Sequence, residues 1–193
     1  MRELNTILEK KLLAEKINQY LIYSPHIARK AKAGQFVILR LCEDGERVPL
    51  TIVDHDADEG TITLIVQTVG KSTMMLDAQQ PGETIHDVLG PLGNPSEIEN
   101  YGRVAVIGGG VGAAVAYPVA KALKLAGNHV TSIVGARNKD LVILKPEIEQ
   151  VSDRLLITTD DGSCGLHGFV TDQLRILLEA GEHFDYVLAI GPL

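Results

Sequence analysis

Four apolar residues, Val104-Ala105-Val106-Ile107, run straight into Gly108-Gly109-Gly110-Val111-Gly112 and then into the small-residue stretch beginning Ala113-Ala114-Val115-Ala116. This order constrains the fold more than any other feature of the chain. A short apolar run bounded by glycines is a buried strand. The glycines allow a tight turn through positive φ, and residues 113–126, closing at Gly127, form a helix of small side chains. The same alternation continues downstream. Strands are expected at 129–134, 155–159 and 186–190, and helices at 145–151 and at 168–180, the last ending at Gly181. Strand–helix alternation requires right-handed crossovers and a parallel sheet.

The first half has a different grammar. Val/Ile/Leu/Thr-rich runs at 6–13, 17–23, 35–41, 48–54 and 61–67 are separated by turn residues such as Gly34-Gln35 and Asp58-Glu59-Gly60. Closely spaced strands with few helices predict a small antiparallel barrel, with a hairpin across Asp58-Glu59-Gly60. One short helix, 72–78, is expected to interrupt it, with Ser72 as its N-cap. The polar stretch 94–102, carrying Pro95 and Gly102, marks the boundary, so the chain is expected to divide into a β-barrel domain (1–97) and an α/β parallel-sheet nucleotide-binding domain (101–193). The sequence stops at Gly191-Pro192-Leu193, immediately after a strand, where an open sheet still needs a covering helix; this predicts a domain truncated at its C-terminus.

With 193 residues, a net charge of −7 and no dense Lys/Arg stripe, nucleic acid is not an expected partner. No run approaches the roughly 18 apolar residues that span a bilayer, and the N-terminus has no signal-peptide core, so no membrane association and a cytoplasmic location are expected. The two cysteines, Cys42 and Cys164, are far apart and in no metal-ligand spacing, so neither a disulfide nor a bound metal is expected.

Chemistry concentrates at the glycine turn. Gly108, Gly110 and Ala113 satisfy a G-x-G-x-x-A spacing, with Gly109, Val111 and Gly112 between them. Such a turn lets the backbone approach a pyrophosphate, and the following helix offers it free N–H groups and a partial positive charge. The same glycines could instead serve only to pack helix on sheet. At the end of the second parallel strand, Arg137 and Lys139 precede Asp140. An NAD-selective site usually presents an acid there; the two cations suit a 2′-phosphate, and equally a solvated basic turn. Thr159 and Asp160 lie at the carboxyl end of the third strand, where ligands of open α/β sheets bind. Cys164 and His167 follow in the same loop, but with no orienting third group they read as a loop near the dinucleotide and not as a nucleophile pair.

Three further segments precede the turn in order: Arg47-Val48-Pro49-Leu50-Thr51-Ile52, Gln67-Thr68-Val69-Gly70-Lys71-Ser72-Thr73 and Gly90-Pro91-Leu92-Gly93. Together with the glycine turn, over the whole chain, they resemble the ferredoxin–NADP reductase superfamily, in which a Greek-key barrel holds FAD through an Arg-x-x-x-Ser/Thr strand and a Gly-x-x-Thr/Ser helix start. Within it, the chain is most similar to the small subunits of NADH-dependent ferredoxin:NADP oxidoreductase (sulfide dehydrogenase beta subunits), with electron-transfer subunits of dihydroorotate dehydrogenase next. The resemblance implies that Arg47 pairs with the FAD pyrophosphate and that Pro49, Leu50 and Thr51 lie along the ribityl chain and flavin. It further implies that Ile65, Val66 and Gln67 line the flavin, and that Gly70, Ser72 and Thr73 face phosphate.

The implied function is a flavoprotein electron-transfer subunit that passes electrons between NAD(P)H and an iron–sulfur partner through FAD, within a complex with a larger flavin/iron–sulfur subunit and with ferredoxin as a possible acceptor. No side chain is expected to act as a catalytic acid or base. In this superfamily the last strand often ends in Cys-Gly-Pro; here Ile190 stands before Gly191 and Pro192, so the thiol is missing. A [2Fe–2S] centre needs four thiolates, which two cysteines cannot supply, so the cluster is expected only in a full-length chain. The alternatives are a dihydroorotate dehydrogenase electron-transfer subunit and, without turnover, a dinucleotide-sensing module.

Overall fold

A computed structural model describes residues 2–191. The chain divides into two compact units, Met1–Ser96 and Glu97–Leu193.

The first unit contains seven strands: β1 (Ile7–Ala14), β2 (Ile17–Tyr23), β3 (Phe36–Arg40), β4 (Val48–Thr51), β5 (Asp54–Asp56), β6 (Thr61–Gln67) and β7 (Asp87–Leu92), with short helices α1 (Pro25–Ala28) and α2 (Lys71–Ala78). They form two antiparallel sheets, in the orders β1-β2-β6-β5 and β4-β3-β7. Alternating apolar residues from both sheets, among them Ile22, Val37, Leu39, Ile62 and Leu64, fill one barrel-like core. The expected strand 48–54 is two strands because the chain changes sheets within it. The Ile52 N–H donates to Gln35 O (3.0 Å) on the β3 side, and the Val53 N–H donates to Thr63 O (2.9 Å) on β6. The hydrophobic pattern continues through this corner while the hydrogen-bonding partner switches, so periodicity alone could not reveal it.

Two further expectations are corrected. α2 starts one residue earlier than expected and its N-cap is Gly70, not Ser72. The Thr73 hydroxyl, three residues on, accepts from the N–H groups of Val69 and Gly70 (3.0 Å each), and the Ser72 hydroxyl is engaged elsewhere. β7 was hidden by its Gly90-Pro91, which reads as turn punctuation. Among the described residues it is an edge strand pairing only with β3, where a residue lacking an N–H breaks no ladder.

The second unit is a five-stranded parallel sheet in the order β11-β10-β9-β8-β12. Its strands are β8 (Arg103–Gly109), β9 (His129–Ala136), β10 (Arg154–Thr159), β11 (Leu166–His167) and β12 (Tyr186–Ile190). The connecting helices are α3 (Gly112–Leu125), α4 (Lys145–Gln150) and α5 (Val170–Glu179). Alternate strand residues face opposite sides. Val106, Ser132 and Val134 look toward Ala116 and Tyr117 of α3 and Ile148 of α4. Ile107 and Ile133 pack against Leu174 and Leu177 of α5. Helices therefore cover both faces. The chain reverses its direction of travel between β8 and β12, the topological switch point at which open α/β sheets bind ligands.

The opposite edge of the sheet is held by polar staples. Buried Asn128 accepts from the N–H groups of Tyr101 (2.7 Å) and Gly102 (3.1 Å) and donates to Glu99 O and Leu123 O. Asp153 accepts from Lys124 Nζ of α3 (2.6 Å) and from the Val130 N–H of β9 (2.8 Å). The hydrogen bond from Lys124, aided by that backbone N–H, holds the Asp153 carboxyl below its ordinary range against a smaller opposing effect of burial. A depressed folded-state pKa stabilises the fold above the unfolded carboxyl value of about 3.9, and that contribution is lost as pH falls through the folded value. Asp153→Asn is therefore expected to cost about 1 kcal/mol at neutral pH, solvent screening of a surface pair included. Urea unfolding should show the two proteins converging once the pH is well below 4.

Candidate functional site

In the first unit the predicted residues gather around β4 and the start of α2. Arg47, Pro49 and Thr51 share one face of the strand by its two-residue period, while Leu50 packs inward against the barrel core. Arg47 is exposed and makes no hydrogen bond or ion pair among the described residues. Gly70 precedes α2 with φ −148°, an extended conformation open to any residue, and nothing lies within 4 Å of the position a Cβ would take. Neither backbone strain nor packing demands glycine there; a ligand that comes close to the backbone would. The first-turn N–H groups of α2 lack intrahelical acceptors.

The remaining first-unit candidates are placed differently. The Thr73 hydroxyl is spent on the cap, accepting from Val69 and Gly70 and donating to Gly70 O. Val66 lies in the barrel core, which leaves only its backbone for a ligand. Ile65 is buried, 7% exposed, on the strand's other face, and Gln67 is exposed at its end. One participant was not anticipated. Glu46, next to Arg47, accepts a hydrogen bond from the Ser72 hydroxyl at 2.6 Å. No sequence motif signals that contact, because the two residues are 26 positions apart.

In the second unit the glycine turn joins β8 to α3 at the switch point. A Cβ on Gly108 would stand 2.6 Å from Ala113 Cα, and one on Gly112 would stand 2.5 Å from Ile190 O. These two glycines let α3 pack closely on β8 and β12, which is the helix-on-sheet role. Gly110 differs. It has φ +55°, open space around its Cβ position, and an N–H that donates to Gly135 O (2.8 Å) at the end of β9. Val111 and Gly112 follow at the helix start, and Gly191 lies against Gly109, 3.4 Å from its Cα to the position a Gly191 Cβ would take. Pro192 falls outside the described residues. Gly135 was also missed; a Cβ on it would meet Val170 Cγ1 at 2.5 Å, and a lone glycine in an apolar strand is the signal for such an approach.

Two loops flank the turn along the carboxyl edge. Arg137 and Lys139 are exposed, and neither side chain forms an ion pair among the described residues. The Asp160 N–H donates to Ala136 O (3.1 Å) and the Asp161 N–H to Arg137 O (3.2 Å), so Arg137 and Asp160 lie side by side. The Lys139 N–H donates to Ser163 Oγ (2.8 Å), and the Ser163 hydroxyl, with its own N–H, holds the Asp161 carboxyl below its ordinary range. Thr159 is fully buried, and its hydroxyl closes a ring with Cys164, donating to Cys164 O (2.8 Å) and accepting from the Cys164 N–H (3.0 Å). It shapes the loop and presents no free hydroxyl.

Among the described residues, no three His, Cys, Asp or Glu side chains form a metal-binding group, Cys42 and Cys164 are free, and no helix is long and apolar enough to cross a membrane.

Residues 5–96 match the oxidoreductase FAD-binding domain family. The chain is 50% identical over 189 residues to the electron transfer subunit homolog of dihydroorotate dehydrogenase B (NAD(+)) from Thermotoga maritima, covering 98% of this chain and 66% of that protein. It is 33% identical over 197 residues to the dihydroorotate dehydrogenase B (NAD(+)) electron transfer subunit of Geobacillus thermodenitrificans, covering 99% and 75%. The solved structure of an NADH-dependent reduced ferredoxin–NADP oxidoreductase, described for flavin-based electron bifurcation, superposes with a TM-score of 0.94 at 49% identity, over 100% of this chain and 69% of that one. The chain belongs to the family of FAD-binding electron-transfer subunits in the ferredoxin–NADP reductase superfamily. It spans just under two thirds of the length of the Thermotoga maritima relative.

Proposed function

We propose that this chain is the flavin-binding part of an electron-transfer subunit, in which a nicotinamide dinucleotide held by the second unit exchanges electrons with FAD held by the first. The observation that carries this reading is the pairing of two anion-binding arrangements, each on its own unit. One is unpaired Arg47 with the open start of α2, and the other is the Gly108–Gly112 turn at the head of α3. Both fit a diphosphate: Arg gives a charge-assisted, bidentate contact, and helix N-termini give backbone donors.

FAD, when bound, supplies the coupling of two-electron and one-electron transfer. The protein's own contribution is to bind and to orient. Arg47, Ser72 and the first-turn N–H groups of α2 would hold the pyrophosphate, Pro49 and Thr51 the ribityl chain, and the backbone at residues 65–67 the flavin. On the second unit, Gly109, Gly110, Val111 and Gly112 would hold the dinucleotide pyrophosphate, with Gly191 beside Gly109. No side chain has to move a proton in hydride transfer, so none is assigned as an acid or base. A larger iron–sulfur subunit accepts the electrons, with ferredoxin a second candidate, in a reducing cytoplasm that suits two free cysteines. Identity to dihydroorotate dehydrogenase B subunits favours a second reading, in which the partner is a dihydroorotate-oxidising chain.

Arg137 and Lys139 favour NADP(H), with Asp160 alongside for the ribose. The test is anaerobic titration of the FAD-loaded protein with NADPH and NADH in parallel. Bleaching of the flavin band by either establishes the electron-transfer reading, and its absence with both overturns it. Arg137→Glu should raise the apparent Kd for NADPH about tenfold or more and leave NADH within about threefold; equal effects on both would remove Arg137 from 2′-phosphate recognition.

A further inference from the structure

Around the start of α2, the charged side chains and free backbone donors of the proposed flavin site suit an anion, with one exception. Arg47 is unpaired, Lys71 is exposed, and α2 turns its N-terminus toward the same place. The exception is Glu46. Its carboxylate takes the Ser72 hydroxyl at 2.6 Å, which is the kind of partner a phosphate oxygen would seek. The contact is presented from an ordered turn. The Gly45 N–H donates to Cys42 O (2.8 Å), and Arg40, itself paired with Asp87, donates from Nη1 to Glu43 O (2.7 Å). A Cβ on Gly45 would come within 2.9 Å of Cys42 O, so the turn that delivers Glu46 is tight.

We propose that Glu46 is an internal stand-in for the cofactor's phosphate. Its carboxylate engages the hydroxyl of Ser72 and docks the segment before β4 on the start of α2, in competition with a phosphate oxygen for the same proton. A phosphate oxygen taking the Ser72 hydroxyl would displace Glu46 and leave its carboxylate beside the diphosphate. Glu46 thereby fixes the approach of β4 to α2 and weakens cofactor binding. A single hydroxyl hydrogen cannot serve Glu46 and a phosphate oxygen together. Like charges a few ångströms apart repel, even at an exposed site.

This inference rests on the FAD-binding reading, and the experiment separates the two. Dissociation constants are measured by flavin fluorescence for the wild-type chain, Glu46→Gln and Ser72→Ala, with FAD and with riboflavin, which carries the ring but no phosphate. Glu46→Gln removes the charge and keeps the size and an acceptor oxygen. It is expected to bind FAD on the order of tenfold more tightly, with no gain for riboflavin. Ser72→Ala is expected to bind FAD more weakly, since the hydroxyl passes to the phosphate. Glu46→Gln binding FAD as the wild type does or less tightly, or gaining equally for riboflavin, would overturn the role of Glu46. Absence of FAD binding by the folded wild-type chain would instead overturn the cofactor reading. A thermal melt of each variant without ligand checks that the substitution has not unfolded it.

Discussion

Arg47→Ala is expected to weaken FAD binding by about a hundredfold and to leave the fold intact. The side chain is exposed and unpaired, so its removal exposes no buried partner and breaks no ion pair. Truncation at such a surface site changes stability by only about half a kcal/mol. In binding the balance differs. A bidentate contact between guanidinium and diphosphate combines two charge-assisted hydrogen bonds, each worth about 1.5–3 kcal/mol, and each 1.4 kcal/mol is tenfold in affinity. Arg47→Lys should recover part of the charge and little of the geometry. Equilibrium titration with FAD, next to a melt of the apoprotein, checks both halves. A loss of less than threefold would place the pyrophosphate elsewhere.

The second large effect is expected from Gly112→Val. Even a single Cβ there would stand 2.5 Å from Ile190 O and 3.2 Å from Gly191 Cα, and both obstacles are backbone. The helix can make room only by lifting away from β12, and overpacking of this kind costs about 2–4 kcal/mol. A fall in Tm of roughly 5–15 °C follows for a chain of this size. The same shift would move the N-terminus of α3 away from the proposed dinucleotide site, so reduction of bound FAD by NAD(P)H should be lost even where the protein stays folded. Gly110→Ala makes the useful contrast. That position has room for a methyl group, and only its φ of +55° resists substitution, so the cost to stability should be about 1–2 kcal/mol. Calorimetry and anaerobic titration of the two variants separate packing glycine from turn glycine.

That separation also shows how far the sequence could be read. The strand–turn–helix at residues 104–126 was plain because its apolar run, glycines and small residues all favour one local structure. What the motif could not reveal was the division of labour inside it. Gly108 and Gly112 are required by neighbours, and one of those, Ile190, lies 78 positions further on, whereas Gly110 is required by its own backbone. The corner at Ile52 and Val53 escaped for a similar reason, since the pattern of side chains is uninterrupted while the ladder changes partner. Thr159 was legible as a residue at the carboxyl edge, but its ring with Cys164 was not, because a hydroxyl's partner depends on how the following loop closes. Glu46 carried no signal at all. A glutamate before a basic residue is ordinary, and its meaning appears only when Ser72 is brought against it.

The bonds between the loops after β9 and β10 bear on any attempt to alter nucleotide preference. Arg137 O receives Asp161, Lys139 receives its acceptor from Ser163, and Ser163 in turn supports Asp161. Grafting residues 137–141 from a relative without residues 160–165 would pair each half with a stranger, and the graft would lose its shape before its specificity could be read. The two loops are thus one exchangeable cassette, to be inherited or engineered together.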